Sequence, residues 1–260
     1  MTFRDTPWPH GTPCWVEVQV EDPVRTSAFY RQLFGWTFFD HGPAYSHYLT
    51  ARLDGRAVAD IGPRPPGESL SGPPSWLVCF AVDSADTAAE RIAKAGGTLL
   101  LPPDDVGTHG RFAVASDPVG ARFAVWQADE YLGAEVASVP GSVAWHHCPN
   151  TDIEAVKDFY ADVFGLSATR VTGRGRECAT LDLDGRPVAG LGAPGDDAPS
   201  RMPPSWQVAF GVSDVGAAVA KVVELGGSLL DGPFDTQRGR CALVADEQGT
   251  SFEVLAVGAG

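Results

Sequence analysis

The chain has 260 residues, a formal net charge of −14 and 44% hydrophobic residues, values typical of a soluble globular protein large enough for two domains. The acidic balance argues against nucleic-acid binding, because phosphate recognition needs a basic surface. No apolar run approaches the roughly 18 residues of a membrane-spanning helix, and prolines interrupt the N-terminus where a signal peptide needs its apolar core. We therefore expect a cytoplasmic protein with neither nucleic-acid nor membrane partners.

The first predicted elements lie in VEVQVEDPVRTSAFYRQLFGW, which starts at Val16. Its alternating apolar residues predict a β-strand, and Asp22 is then placed to cap a helix that has Pro23 in its first turn. Gly35 predicts the end of that helix. A strand after Gly35 and two later strand-like runs, YSHYLTARL and AVADIG, complete a β-α-β-β-β unit.

A second unit follows the same plan in VCFAVDSADTAAERIAKAGGTLL, which starts at Val78. Ser84 is placed near the N-cap of its helix, and Gly96 and Gly97 predict the helix end. The runs RFAVAS and RFAVWQ predict the closing strands.

The whole pattern occurs again 130 residues further on, so that Trp15 is repeated as Trp145 and LDGRAVA as LDGRPVA. Such a repeat indicates two homologous domains. We predict an α+β fold of four βαβββ units, with proline-rich loops between the two units of each domain. The predicted domains are 11–128 and 143–257, the linker is 129–142, and the loops are 62–75 and 192–205.

Two motifs recur in both domains. The pattern D-x6-FY-x4-G runs from Asp22 to Gly35 and from Asp152 to Gly165, and a closing D-P-x-G-x-x-F motif at 117–123 becomes DEQGTSF at 246–252. Together they resemble the vicinal oxygen chelate superfamily of glyoxalase I, extradiol dioxygenases, fosfomycin-resistance proteins and bleomycin-binding proteins. The chain is particularly similar to tandem two-domain glyoxalase-like proteins of high-GC bacteria. The resemblance implies two cupped sheets, each around a cavity, and a small molecule as ligand or substrate.

In this superfamily a metal ion, where there is one, is bound by side chains from the first and last strands of each unit. In the first domain the resemblance places Trp15, Leu77 and Ala124 at three of these positions, with Asp60 near the fourth. Indole, isobutyl and methyl groups have no lone pair to offer a divalent ion. We therefore predict no metal site of the usual kind in the first domain.

The equivalent positions of the second domain hold Trp145, Gln207 and Glu253. His147 lies two residues beyond Trp145 and so projects from the same face of its strand. One hypothesis is a displaced site of His147, Gln207 and Glu253 for divalent iron, manganese, nickel or zinc, although it needs a shift of about 6–7 Å along the strand. The favoured hypothesis is that the protein has no cofactor. His146 faces the other way and is interpreted as a structural histidine.

Indole rings in two ligand positions suggest surfaces on which an aromatic or conjugated compound could stack. The alternative is that both rings only fill the core. Each has an ionisable residue two positions further on, and these residues, Glu17 and His147, are the predicted catalytic acid/base groups. The predicted ligand-binding residues are Trp15, Trp145, His47 and Gln207.

Three functional hypotheses follow. The first is a metal-free protein that binds a small aromatic or conjugated compound, either transforming it by acid/base chemistry or sequestering it as a resistance protein does. The second is a metal-dependent lyase, isomerase or dioxygenase whose active site lies in the second domain. The third is a structural role with filled cavities. Two domains in one chain are compatible with a monomer or a homodimer.

Overall fold

The computed structural model describes residues 2–65, 74–149, 152–173, 176–192 and 205–258. Most of the two predicted proline-rich loops lies outside these ranges. None of the described helices is long and apolar enough to cross a membrane.

The first half of the chain forms two helices and one large sheet. Its elements are β1 (Thr2–Phe3), β2 (Pro13–Val20), α1 (Pro23–Phe34), β3 (Thr37–Asp40), a 3₁₀-helix (Pro43–Tyr45), β4 (Leu49–Leu53), β5 (Arg56–Pro63), β6 (Leu77–Ala81), α2 (Ala85–Lys94), β7 (Thr98–Asp105), β8 (Gly110–Ser116) and β9 (Arg122–Ala128). The eight strands of the sheet lie in the order β3-β4-β5-β2-β6-β9-β8-β7.

The second half repeats this arrangement. Its elements are β10 (Val136–Ala137), β11 (Val143–Pro149), α3 (Ile153–Phe164), β12 (Ser167–Gly173), β13 (Arg176–Leu183), β14 (Arg186–Gly192), β15 (Gln207–Val212), α4 (Val215–Glu224), β16 (Ser228–Thr236), β17 (Gly239–Ala245) and β18 (Ser251–Ala256). Its strand order, β12-β13-β14-β11-β15-β18-β17-β16, matches that of the first sheet strand for strand. The predicted α+β fold of four βαβββ units in two sheets is confirmed.

The helix boundaries follow from the local signals in the sequence. The Asp22 side chain accepts a hydrogen bond from the Arg25 N–H at 3.0 Å, and Ser84 caps α2 in the same way. Gly35 ends α1 in the left-handed conformation, at φ 75°, which favours glycine.

One predicted strand is shorter than expected. YSHYLTARL suggests a strand from its first residue, but β4 begins only at Leu49, after the 3₁₀-helix and a turn. Ser46 and His47 in that turn have φ values of 50° and 57°, which are incompatible with an extended strand.

Reciprocal contacts join the two domains. The Tyr30 hydroxyl donates to Asp246 of the second domain at 3.2 Å, and the Tyr160 hydroxyl donates to Asp117 of the first at 3.0 Å. Both aspartates also accept backbone N–H bonds from their own turns. The helix motif of each domain therefore packs against the closing motif of the other, and a single hydrophobic core extends across both sheets.

Candidate functional site

The first sheet encloses a cavity of about 330 Å³, which we call the N-terminal cavity. Trp15, Glu17 and Gln19 alternate along β2 and all line it, as their shared strand face requires. Glu17 is level with Asp60 of β5 on one side and with Leu77 of β6 on the other. The side-by-side pairing of strands thus brings two carboxyl groups to the same cavity.

The wall of the N-terminal cavity is mostly aromatic. The rings of Tyr45 and His109 stack with centroids 5.0 Å apart, and Tyr131 meets Trp15 edge to face at 5.2 Å. Flat faces of this kind suit a flat ligand. The ring-bearing residues that line the cavity are Trp15, His41, Tyr45, Tyr48, His109, Phe112, Trp126 and Tyr131.

The two carboxyl groups have different partners. Asp60 accepts a hydrogen bond from the Thr50 hydroxyl at 2.6 Å and another from the Trp15 indole N–H at 3.2 Å. The Glu17 carboxyl makes no hydrogen bond to any other residue in the described ranges and faces the cavity. Trp15 therefore orients Asp60, and Glu17 is left open to a ligand.

The two carboxyl groups titrate at different pH values. Burial and, to a smaller extent, the nearby Asp60 raise the pKa of Glu17 to about 8. Burial also raises the pKa of Asp60, to about 6, against the opposing effect of its hydrogen bonds from Thr50 and Trp15. Near neutral pH Glu17 therefore carries a proton while Asp60 is mostly ionised, which gives an acid and a base side by side.

A chain of hydrogen bonds continues from Asp60. Thr50 uses its only proton to donate to Asp60, so it accepts from His41, whose Nε2 lies 2.8 Å from the Thr50 oxygen. His41 must then be protonated at Nε2, and it also lines the cavity. His41 and Thr50 were not predicted, because neither lies within the motifs D-x6-FY-x4-G, LDGRAVA or D-P-x-G-x-x-F.

His47, predicted to bind a ligand, lies outside the cavity lining. Its side chain is largely exposed and its Nδ1 lies 3.0 Å from Asp40. The turn before β4 directs it to the outer surface, and Tyr45 and Ser46 of the same turn line the cavity instead.

The second domain brings the predicted metal-site residues together. His147 Nε2 lies 3.4 Å from a Glu253 oxygen. Gln207 lies directly opposite His147 on the neighbouring strand. His147 therefore lies beside Gln207 without the shift along the strand that the sequence led us to expect. The Gln207 amide donates to Ser205 and accepts from Ser251.

The face of Trp145 is covered by the chain itself. The Arg238 guanidinium carbon lies 3.0 Å from the centre of the indole ring, a cation–π contact. We call Trp145, His147, Gln207, Arg238 and Glu253 the C-terminal cluster. In this cluster the Trp145 ring, the His147 imidazole and the Gln207 amide each contact another group of the chain.

Comparison with known proteins agrees with this geometry. The sequence profile of the Glyoxalase/Bleomycin resistance protein/Dioxygenase superfamily matches residues 14–125 and 144–254. The chain belongs to this superfamily.

Two related proteins match this chain over nearly its whole length. Anthracycline biosynthesis protein DnrV of Streptomyces peucetius is 38% identical over 94% of this chain and 93% of its own length. Anthracycline biosynthesis protein DauV of Streptomyces sp. strain C5 is 37% identical over the same fractions, 94% and 93%.

A solved structure shares the fold at low sequence identity. The Mn(II)-bound glyoxalase from Novosphingobium aromaticivorans has a TM-score of 0.66 and 18% identity, over 95% of this chain and 82% of that protein. A likeness at this identity supports the fold and leaves the chemistry to the side chains.

The side chains do not reproduce a metal site of the kind found in this superfamily. Within the described part of the chain, no three His, Cys, Asp or Glu residues are grouped so that they could hold an ion. The C-terminal cluster offers one imidazole and one carboxylate, with the Gln207 amide as a neutral third group. A facial triad needs two imidazoles and a carboxylate, and the Arg238 guanidinium of the same cluster carries a positive charge. In the first domain, Asp60 is bound by the Trp15 N–H and the Thr50 hydroxyl.

Proposed function

We propose that the protein binds a small, uncharged aromatic or conjugated compound in the N-terminal cavity and moves a proton on it with its own carboxyl groups. The observation that carries this proposal is the pairing of Glu17 and Asp60 on adjacent strands of a cavity with a mostly aromatic wall. The cavity volume of about 330 Å³ lies within the range of small-molecule sites.

The ligand class follows from the wall. Stacked and edge-on rings favour a flat conjugated molecule over a flexible aliphatic one. Two relatives are named for anthracycline biosynthesis, and anthracyclines are built on flat fused rings. Both observations support a ligand of flat fused rings that carries a ketone or phenol.

The reaction class follows from the carboxyl pair. On a bound ketone, ionised Asp60 would take the proton from the carbon beside the carbonyl, and Glu17 would give its proton to the carbonyl oxygen. The substrate C–H bond and the Glu17 O–H bond break, and O–H bonds form on the substrate oxygen and on Asp60, so the product is the enol. Glu17 then recovers its proton from solvent. A general acid and a general base whose pKa values lie near the working pH are suited to this step.

Thr50 and His41 would then reset the base. The proton on Asp60 can pass to the Thr50 oxygen while Thr50 releases its own proton to His41, along contacts of 2.6 and 2.8 Å. For this step His41 must first lose its Nε2 proton or turn its ring. Burial lowers the pKa of His41, so the ring is largely neutral at pH 7 and can take part in such a transfer.

The test uses 1-tetralone, a flat aromatic ketone, in D₂O. NMR should show faster exchange of its α-protons with the wild type, and Glu17→Gln should slow the protein-dependent exchange by about 10²-fold or more, a typical contribution of general acid/base catalysis. Glu253→Gln is the matched control in the second domain and should change the rate less than twofold. Binding without any exchange would instead support sequestration.

A metal-dependent reaction in the second domain is the other candidate, favoured by the 3.4 Å approach of His147 to Glu253. Metal analysis of purified protein separates the two proposals. One equivalent of iron, manganese, nickel or zinc that is lost in Glu253→Ala would favour the metal-dependent reaction. Less than a tenth of an equivalent, with activity retained in the presence of a chelator, would favour the N-terminal cavity.

We also propose that the protein is a cytoplasmic monomer. The reciprocal contacts of Tyr30 and Tyr160 pair the two domains within one chain, which supports a monomer. Cys14 and Cys79 lie buried as thiols, which suits a reducing compartment. Light scattering after size-exclusion chromatography would distinguish the monomer from a homodimer.

A further inference from the structure

A second cavity, of about 190 Å³, lies between the two domains, and we call it the interdomain cleft. Its lining contains matched residues from both domains, among them Trp15 with Trp145 and Val58 with Val188. Trp8 and the linker residue Ala137 also border it. None of the described residues that line it carries a formal charge at neutral pH.

At one lining position an apolar side chain of the first domain is replaced by an imidazole in the second. Val16 of β2 is repeated as His146 of β11, and both side chains are buried, with exposures of 0% and 9%. The Nδ1 atom of His146 is buried without a hydrogen-bond partner among the described residues. Unpaired buried polar atoms are rare in folded proteins, because they lose their bonds to water without replacement. The fold itself accepts a valine here, so it does not require a histidine.

A neutral imidazole offers one hydrogen-bond donor and one acceptor. The unpaired Nδ1 atom of His146 can therefore bond a polar group of a ligand. An apolar cavity of about 150 Å³ can hold benzene, so the interdomain cleft is large enough for a molecule of one or two rings.

We propose that the interdomain cleft is a second ligand site, which takes an uncharged one- or two-ring aromatic molecule among its uncharged lining residues and hydrogen-bonds it through His146. This site is separate from the proton-transfer site, although Trp15 borders both cavities. The proposal holds whether or not the N-terminal cavity is catalytic.

The experiment compares phenol with toluene, which have similar size and differ in the hydroxyl group. Both are titrated into the full-length protein while NMR follows the indole N–H signals of Trp8 and Trp145, which line the interdomain cleft and not the N-terminal cavity. We expect phenol to bind the wild type about three- to tenfold more tightly, the effect of one neutral hydrogen bond. His146→Val, which copies the first domain, should remove this preference.

Folding of the variants is checked by urea unfolding, and His146→Leu serves if His146→Val is unstable. Equal affinities of the wild type for phenol and toluene would overturn the proposal. So would the absence of binding, or a preference for phenol that persists in the folded His146 variant.

Discussion

The two cupped sheets share a fold, but they differ in whether their polar groups and aromatic faces are open to a ligand. At twin positions the N-terminal cavity has Glu17 and the C-terminal cluster has His147. Glu17 faces another acid, Asp60, whereas the His147 imidazole lies 3.4 Å from a Glu253 carboxyl oxygen. Burial, reinforced by the charge of Asp60, keeps the proton on Glu17.

A second pair of equivalent residues, His109 and Arg238, also differs between the two domains. His109 stacks on Tyr45 at the wall of the N-terminal cavity, while its counterpart Arg238 lies on the Trp145 ring. Duplicated domains can thus diverge through a few side chains, one keeping an open site and the other covering it with its own residues. The scaffold alone does not determine function.

The largest predicted effect comes from removing the charge that distinguishes the N-terminal cavity. Asp60→Asn keeps an acceptor for Trp15 and loses the base, so we expect α-proton exchange on 1-tetralone to fall by about 10²-fold or more. The same NMR assay measures the exchange rate. Asp182→Asn, a change to a buried carboxyl group of the second domain, is the control. An equal loss in both variants would show that the effect does not depend on the N-terminal cavity.

A smaller effect is expected at Thr50. Thr50→Val removes the hydroxyl between His41 and Asp60 with little change in volume, and we expect about a tenfold slower exchange, corresponding to loss of one charge-assisted hydrogen bond. Thr50→Ser restores the hydroxyl and should recover most of the rate. Equal rates for the valine and serine variants would show that the hydrogen-bond chain does not carry protons.

Arg238→Ala should make the second cup resemble the first more closely. Uncovering the Trp145 face should let 1-naphthol quench additional tryptophan fluorescence, with a several-fold gain in affinity at that ring, since a cation–π contact contributes about 0.5–1 kcal/mol. Trp145→Phe in the same background should remove the gain. No change in quenching on loss of Arg238 would indicate that the ring is not accessible.

A further effect is a difference in the pH dependence of stability. The raised pKa of Glu17 means that the folded state binds more protons than the unfolded state between its ordinary pKa and about 8. Its contribution is therefore fully present at low pH and is lost as pH rises through this window, by at most about 1.4 kcal/mol per pH unit. Urea unfolding of Glu17→Gln between pH 5 and 8 should show a weaker decline than the wild type, and parallel curves would contradict it.

His146 should show the opposite slope. Its lowered pKa means that the unfolded state binds the extra proton between about 3 and the ordinary value of histidine, so its contribution is lost as pH falls through that window. Comparison of His146→Val with the wild type between pH 4 and 7 isolates this contribution. Opposite slopes for the two variants would distinguish the buried Glu17 of the first domain from the buried His146 of the second.

The repeat, the helix ends and the sheet plan could be predicted because their signals are local. Asp22, Ser84 and Gly35 act within one turn of the residues they cap or end. Trp15 and Glu17 could be assigned to one cavity face, since alternation along a strand is fixed by geometry.

The composition of the N-terminal cavity depended on contacts between distant segments. Asp60 became a partner of Glu17 only through the register of β5 on β2, which a single sequence does not specify. Tyr131 lies in the segment predicted as a linker, and yet it lines the N-terminal cavity. His47 was misplaced because a turn interrupts what looks like one continuous strand.

The central claim, that Glu17 holds a proton at neutral pH beside an ionised Asp60, can be tested by direct titration. In protein labelled with ¹³C at the glutamate side-chain carboxyls, the Glu17 signal is identified by its absence in Glu17→Gln. We predict that this signal titrates with a pKa of about 8. Titration near the ordinary value of about 4.3 would contradict the account.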